Sequence, residues 1–435
     1  MSQIHDPEAT GTAMSHAGPD DAHIIIVGAG QAGTLTAEAL RSGGYGGAIT
    51  LLGDEPAGPY HRPPLSKAWL AGEISDAQLA LRPPDMLARK HIALRTGVWV
   101  QAIDRVARRV LLADGEQLAY SGLALATGAT PRRLPLPGFD SPLVQPLRTR
   151  EDAAAIAAGL AECARRQLPL VVVGGGFIGL EVAATARKKG LAVTVLEAAP
   201  RLLGRVLAPE LSAWYAQLHR ARGVQLVLDA RIDHLDSTET AAGPVAAVVM
   251  ADGTRHACGL VVLGVGVTAN DQLAAEAGLP CERGIVVDAC GRTADPRIVA
   301  AGDCTARRLD NGQLLRLESV QNATEQARSA AAALLGQARP FTATPWFWSD
   351  QFDQKLQMAG LSAGADGWAL RGAMSTDAGF SIYHFLSGRL VAVDSVNATQ
   401  DHLLARKLLD AGLSPTPAQA ADPAFDLSRL LAPTA

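Results

Sequence analysis

Five cysteines, at positions 163, 258, 281, 290 and 304, are all that this 435-residue chain carries, and no two are spaced C-x-x-C. The pattern does not read as a zinc site or a secreted disulfide framework. Cys304, which lies inside a motif described below, reads as a small packing residue, the common role of free cysteine. An excess of charge is missing too. With 39 Lys and Arg against 43 Asp and Glu the formal net charge is -4, so nothing in the bulk charge draws the chain to nucleic acid or an anionic membrane. No apolar run is long enough to span a bilayer. The opening MSQIHDPEATGTAMSHAGPD lacks the basic start and apolar stretch of a signal peptide. The expectation is a cytoplasmic protein whose residues 1–20 are a disordered extension.

The length exceeds one ordinary hydrophobic core and calls for two or three domains. HIIIV at 23–27 is a short apolar run leading into GAGQAG, with Gly28, Gly30 and Gly33, and then a helix-like TLTAEALRSGG. Strand, tight turn and helix are the context that makes a GxGxxG fingerprint specific for a dinucleotide. The first glycine makes the turn, the second lets backbone approach a pyrophosphate, and the third lets helix and strand pack. AITLL at 48–52 is the next strand, ending at Gly53-Asp54-Glu55. Asp54 or Glu55 is placed to accept from a ribose hydroxyl, Glu55 being favoured because Gly53 and Asp54 look like turn residues; either could be a solvated acid instead. In PYHRPPLSKAWLAGE the prolines at 59, 63 and 64 exclude a regular helix and predict a stiff extended loop carrying Arg62 and Lys67. A basic loop is as often merely solvated.

LALATGATP at 123–131 is a strand into a turn of small residues, Thr127 and Gly128 among them, followed by Arg132 and Arg133. The pattern then begins again. LPLVVVGGGFIGLEVAATARKKG, from 168 to 190, is a second strand, fingerprint and helix with Gly174, Gly176 and Gly179. Two fingerprints imply two dinucleotides. AVTVLE places Glu197 at the end of the following strand, where a carboxylate welcomes a ribose 2′-hydroxyl and repels a 2′-phosphate, favouring NADH over NADPH; Arg201 and Arg205 close behind could offset that. CGLVVLGVGVTAN, with Gly264, Gly266 and Asn270, is expected to close the second unit back onto the first. IVAA at 298–301 delivers Gly302 and Asp303 to the C-terminal end of a parallel strand, where Asp303 can hold a polyhydroxy chain or simply cap a helix. From about residue 340 the composition shifts: Trp346, Phe347, Trp348 and Phe352 crowd one stretch, then strand-like SIYHFLSGRLVAVDSVNA precedes helix-like HLLARKLLDAGL. This predicts a small α+β domain whose aromatic edge, Trp346 included, covers a flavin ring or closes a core.

VGAGQAG at 27–33, GPYHRPPLSKAWLAGE at 58–73, ALATGATPRRLP at 124–135, VVVGGGFIGLEVAATARKKG at 171–190, AAGDCTA at 300–306, LESVQNATEQA at 317–327 and PWFWSDQ at 345–351 together resemble the FAD-dependent ferredoxin reductases. These serve ring-hydroxylating dioxygenases and class I cytochromes P450. The resemblance implies a glutathione-reductase-like α/β fold of two Rossmann-like dinucleotide-binding domains plus a small C-terminal α+β domain. The FAD domain would be 21–145 and 266–335, the NADH domain 146–265, and the C-terminal domain 336–435. It implies Lys67 beside the flavin paired with Glu181, Arg62 and Arg132 lining the FAD site, Asp303 on the ribityl chain, and Val320 with Gln321 near the ring; Gly266 and Arg201 fall in the nucleotide sites. Two positions depart from the pattern: Ala269 where many relatives have Pro, and Val320 where some dioxygenase-type relatives carry an aromatic. Disulfide- and peroxide-reducing relatives have cysteine just beyond the first fingerprint; this chain has none before Cys163. The flavin itself is then the donor, passing electrons from NADH singly to a [2Fe–2S] ferredoxin, and through it to a terminal oxygenase. Such ferredoxins are usually acidic, which makes Arg82, Arg307, Arg308 and Arg316 candidate docking cations. The competing expectations are an NADH oxidase or quinone reductase, and a signalling flavoprotein of the apoptosis-inducing-factor kind.

Overall fold

A computed structural model describes residues 22–432 apart from 242 and 310; the N-terminal extension expected at 1–20 lies outside the described residues. The apolar run His23–Val27 is β1, and its fingerprint turn opens helix α1, Gln31–Ser42. β2 is Ala48–Leu52 and β3 is Ile92–Arg95. Between them, the proline loop is not extended as expected: Pro63–Ser66 is a 3-10 turn followed by a short helix, Ala68–Ala71. Both prolines sit at the first helical positions, where the missing N–H is not needed and the fixed φ suits the turn.

β4, Gly122–Leu125, pairs with the free edge of β1. The chain then crosses into a second parallel sheet. Val144–Pro146 is β5, Arg150–Arg166 is α2, Leu170–Val173 is β6, Phe177–Lys188 is α3, Val193–Leu196 is β7, Pro209–Ala221 is α4, Val224–Val227 is β8 and Leu260–Leu263 is β9. It returns through Val267–Ala269, which pairs antiparallel with Ala129–Pro131, so the outgoing and incoming strands form one ribbon. Ile298–Ala300 is β10 and completes the first sheet; Val320–Leu334 is α5.

The sheet orders are β10-β4-β1-β2-β3 and β8-β7-β6-β9-β5. In each, the strand before the fingerprint lies centrally with its neighbours leaving in opposite directions, the switch point at whose C-terminal end ligands bind. β1 and β6 are apolar almost throughout because parallel strands are covered on both faces. In the first sheet Ile24 and Ile26 meet α1 and α5, whose Ala37, Ala330 and Ala331 allow close approach, while Ile25 and Val27 meet a small antiparallel sheet carrying Val100, Val110 and Leu112.

The third unit is one antiparallel sheet: β11 Trp346–Gln351, β12 Gln354–Gly360, β13 Gly367–Gly372, β14 Phe380–Leu386 and β15 Arg389–Val396, in the order β11-β12-β15-β14-β13. α6, Thr399–Asp410, packs on it through Ala405 and Leu408. The architecture is the expected one of two Rossmann-like units and a small α+β domain. Among the described residues no helix is long and apolar enough to cross a membrane.

Candidate functional site

The two fingerprint turns separate the glycines that the fold requires from those it does not. A Cβ on Gly28 would stand 2.1 Å from the Ala126 carbonyl oxygen, and one on Gly33 would stand 1.8 Å from that of Gly28. A Cβ on Gly30 would meet nothing within 4 Å. The second turn repeats this: Gly174 and Gly179 would collide at 2.4 Å and 2.2 Å, whereas Gly176 would meet only the Gly264 carbonyl at 3.7 Å. The middle glycine of each turn therefore keeps open a space that no protein atom fills. Both glycines are also the N-caps of α1 and α3, helices with no side-chain cap and no acid in the first turn. By contrast α2 is capped by Thr149 and carries Glu151 and Asp152. Two uncapped helix ends facing open space fit two pyrophosphates.

Past β2, Asp54 is exposed and Glu55 is half-buried. Glu55 accepts from Arg62 Nη2 at 2.5 Å and from the Tyr60 hydroxyl. Arg62 also donates to Tyr60 Oη at 3.0 Å and to the Arg148 carbonyl at 2.8 Å. Burial works against the Arg62 charge, but Tyr60 and Glu55 outweigh it and raise its pKa. The cluster brings Arg62 to the carboxylate favoured from the sequence. At the second site, both oxygens of Glu197 already accept backbone N–H groups, from Gly175 at 2.5 Å and Ala199 at 2.7 Å. The carboxylate thus lies against the fingerprint turn itself. Arg201 is held by the carbonyls of Leu207 at 2.5 Å and Gly204 at 2.7 Å and by Ser212 Oγ at 3.1 Å. Arg205 is the freer of the two cations: it is exposed, with Nη2 3.6 Å from where a Gly266 Cβ would stand.

Asp303, at the end of β10, pairs with Arg148 at 3.0 Å. Its turn is fixed from α5: Gln326 Oε1 accepts from Gly302 N at 2.8 Å and Thr305 Oγ1 at 3.0 Å. Thr127 and Asn270 exchange hydrogen bonds of 2.5 and 2.9 Å, tying the turn after β4 to the returning strand; Gly128 there has φ +72. Arg132 is exposed and donates to the Val267 carbonyl at 3.2 Å. At the start of α5, Val320 is half-buried and Gln321 is buried, with its Oε1 lacking any hydrogen-bond partner. A buried amide oxygen without a donor is rare in a folded chain and fits a bound group that supplies one.

Lys67 Nζ donates to Glu181 Oε2 at 2.7 Å, the pair expected from the resemblance. Glu181, on α3, is 3% exposed. Ser66 Oγ donates to the same oxygen at 2.5 Å, and Ser349 Oγ, from β11, donates to Oε1 at 2.6 Å. Nearby Phe177 and Phe347 rings stand 4.7 Å apart. Trp346 lies between Trp348 at 5.6 Å and His402 at 6.1 Å, with the Arg406 guanidinium 4.8 Å over its ring.

Sequence reasoning missed Ser66, Arg148 and Ser349. Ser349 sits inside the quoted PWFWSDQ motif, but no spacing rule connects it with residue 181. Of the docking candidates, Arg82 is paired with Glu38 at 2.9 Å, Arg307 donates to the Phe341 carbonyl, Arg308 reaches the Gly312 carbonyl at 3.4 Å and Arg316 pairs with Glu318 at 2.8 Å.

Comparison with known proteins adds the following. The family model "Pyridine nucleotide-disulphide oxidoreductase" matches residues 22–327 and "Reductase C-terminal" matches 346–431. The chain is 47% identical over 411 residues to rhodocoxin reductase of Rhodococcus erythropolis, covering 94% of each. It is 42% identical over 421 residues to putidaredoxin reductase of Pseudomonas putida, covering 94% of this chain and 97% of that one. Among solved structures, the ferredoxin reductase for the CYP199A2 system from Rhodopseudomonas palustris superposes with a TM-score of 0.89 at 42% identity, covering 95% of this chain and 100% of that one.

Proposed function

The chain belongs to the FAD-dependent ferredoxin reductases of oxygenase systems, and from that premise we propose that it oxidises NADH and delivers electrons singly to a [2Fe–2S] ferredoxin that feeds a dioxygenase or a cytochrome P450. The observation that carries this reading is the pair of fingerprint turns whose middle glycines, Gly30 and Gly176, face open space at uncapped helix ends. Bound FAD would supply the conversion of a two-electron donor into one-electron steps.

The chain's residues would do the rest. The N-terminus of α1 holds the FAD pyrophosphate, Glu55 with Arg62 anchors the adenosine end, and Asp303, set by Arg148, binds the ribityl hydroxyls. Gln321 offers its unpartnered oxygen to a ring N–H. The N-terminus of α3 and Glu197 hold NADH. Lys67 places a cation beside the ring, where negative charge accumulates on reduction, and Glu181 keeps that amine in place. No thiol competes as an exit: the five cysteines are unpaired, four are buried, and burial pushes the half-exposed Cys281 thiol up to about 11. Electrons would leave from the bound flavin itself.

The test is steady-state NADH consumption by the yellow protein with and without a [2Fe–2S] ferredoxin, following the bleaching of the iron–sulfur centre. A large ferredoxin-dependent rate with electrons recovered in the ferredoxin is expected. Rapid oxygen uptake that no ferredoxin increases would overturn the reading in favour of an oxidase.

A further inference from the structure

Glu181 is the end point of a second hydrogen-bonded chain, which none of the nucleotide contacts requires. Ser349 Oγ donates to Glu181 Oε1 at 2.6 Å, Gln351 Nε2 donates to Ser349 Oγ at 3.1 Å, and His219 Nε2 stands 2.9 Å from Gln351 Oε1. Glu181 is 3% exposed and Ser349, Gln351 and His219 are 0% exposed. Three units contribute: α4 of the nicotinamide-nucleotide unit brings His219, β11 of the C-terminal unit brings Gln351 and Ser349, and the turn of the first unit brings Ser66 and Lys67.

Donor and acceptor chemistry gives this chain a direction. The Gln351 amide nitrogen is committed to Ser349, so its oxygen faces the imidazole, and the ring proton must be on Nε2. His219 Nδ1 is then a bare lone pair, and it is buried with no partner. Burial holds the imidazole down to about 4, so it carries a single ring proton near neutrality. Ser349 accepts from Gln351 and has one proton to give, which goes to Glu181. Every donor therefore points toward one carboxylate, from His219 through Gln351 and Ser349 on one side and from Lys67 and Ser66 on the other. Buried ion pairs persist only when the remaining lone pairs are satisfied, and polarised chains strengthen each link.

We propose that Ser349, Gln351 and His219 are positioning residues for hydride transfer, a one-way donor chain that keeps Glu181 aimed at Lys67. The proposal rests on the placing of Lys67 beside the flavin. The titratable groups that face Glu181 are Lys67 from the turn, Tyr215 and, through the chain, His219 from α4; Asp350 of β11 acts on the same Tyr215. Tyr215 stays neutral, since burial, then the charges of Asp394, Asp350 and Glu181, raise its pKa.

The experiment reads the Glu181 carboxylate directly in the full holoenzyme, by infrared difference spectroscopy against Glu181→Gln, whose missing band identifies it. Ser349→Ala should shift the carboxylate stretching band of Glu181, since the donor to its Oε1 is lost. Gln351→Leu should move it less, and Ser349→Thr, which restores the hydroxyl, should bring it back. The rate of flavin reduction by NADH in anaerobic stopped flow should fall about tenfold in Ser349→Ala and recover in Ser349→Thr. If Ser349→Ala does not retain FAD, Gln351→Leu, one link further from the cofactor, carries the test. An unmoved Glu181 band, with Lys67→Met still slowing reduction, overturns the donor chain and leaves the lysine reading standing. An unaltered reduction rate in Lys67→Met overturns the lysine reading, and the proposed role in hydride transfer falls with it.

Discussion

In Glu197 the recognition role proposed above would meet a structural one that the geometry shows. Its two oxygens take the N–H groups of Gly175 and Ala199, so a ribose hydroxyl would have to join a carboxylate already bound to the fingerprint turn. Glu197→Ala is expected to lower the NADH-over-NADPH ratio of kcat/KM about tenfold, because the acceptor for a 2′-hydroxyl and the repulsion of a 2′-phosphate disappear together. The N–H groups of Gly175 and Ala199 lose their acceptor as well, so the melting temperature should fall in the same variant. Kinetics with both nucleotides and calorimetry check the two effects; unchanged discrimination would remove Glu197 from the ribose. The position of this acid at the end of a strand was legible from AVTVLE. Its hold on Gly175 was not, since a side chain folding back 22 residues leaves no periodic trace.

Among the elements, α5 and α6 do the most to support the proposed site. Gln326, on the second turn of α5, gathers Gly302 N, Thr305 Oγ1 and Asn322 Nδ2 on one oxygen. Gln326→Leu leaves buried donors unpaired at the Asp303 turn and is expected to weaken FAD retention by about tenfold to a hundredfold, read by flavin fluorescence on dilution. On α6, His402 is buried against Trp346 beside Arg406 and Lys355, with Nδ1 unpartnered; burial first, then the two cations, hold its pKa down to about 4. The folded form therefore binds fewer protons than the unfolded form between about pH 6.5 and that value. Stability should fall as pH drops through this window, by up to about 3 kcal/mol from this imidazole. His402→Phe should flatten that part of the stability–pH curve in urea unfolding, and an identical slope would show that other groups govern the acid limb. The prolines of the 63–66 turn teach a further lesson at this scale. They read as helix breakers along the chain, yet at the first positions of a turn they favour it, and position within an element depends on where the element starts.

For the whole molecule, the three units meet in one buried cluster beside their own cores. Leu65 and Leu70 of the first, Leu180 and Tyr215 of the second, and Leu356 and Phe380 of the third belong to a single buried cluster, with Trp214 edge-on to Phe380 at 5.3 Å. Arg222 pairs with Asp353 at 2.8 Å and Lys188 reaches the Phe352 carbonyl at 2.8 Å, fastening α3 and α4 to the hairpin between β11 and β12. FAD bound as proposed above would stabilise the folded chain, so stripping it should lower the melting temperature and readdition should restore it. At a thousandfold excess over Kd the ligand contributes about 4 kcal/mol, and calorimetry of holo, stripped and reconstituted protein would reveal it; equal melting curves would mean that the cofactor is not held in the fold. The amino-acid order alone determined the two strand–turn–helix fingerprints, the acids ending their neighbouring strands, the inserted second unit and the α+β tail, because each follows from local periodicity and turn chemistry. Only the tertiary structure decided that Glu181 would collect Ser66, Lys67 and Ser349, that Arg148 would set Asp303, and that His219 would reach Gln351. Those contacts join side chains 114 to 168 residues apart, depend on the crossing of three packed units, and are favoured because buried polar atoms must find partners wherever packing places them.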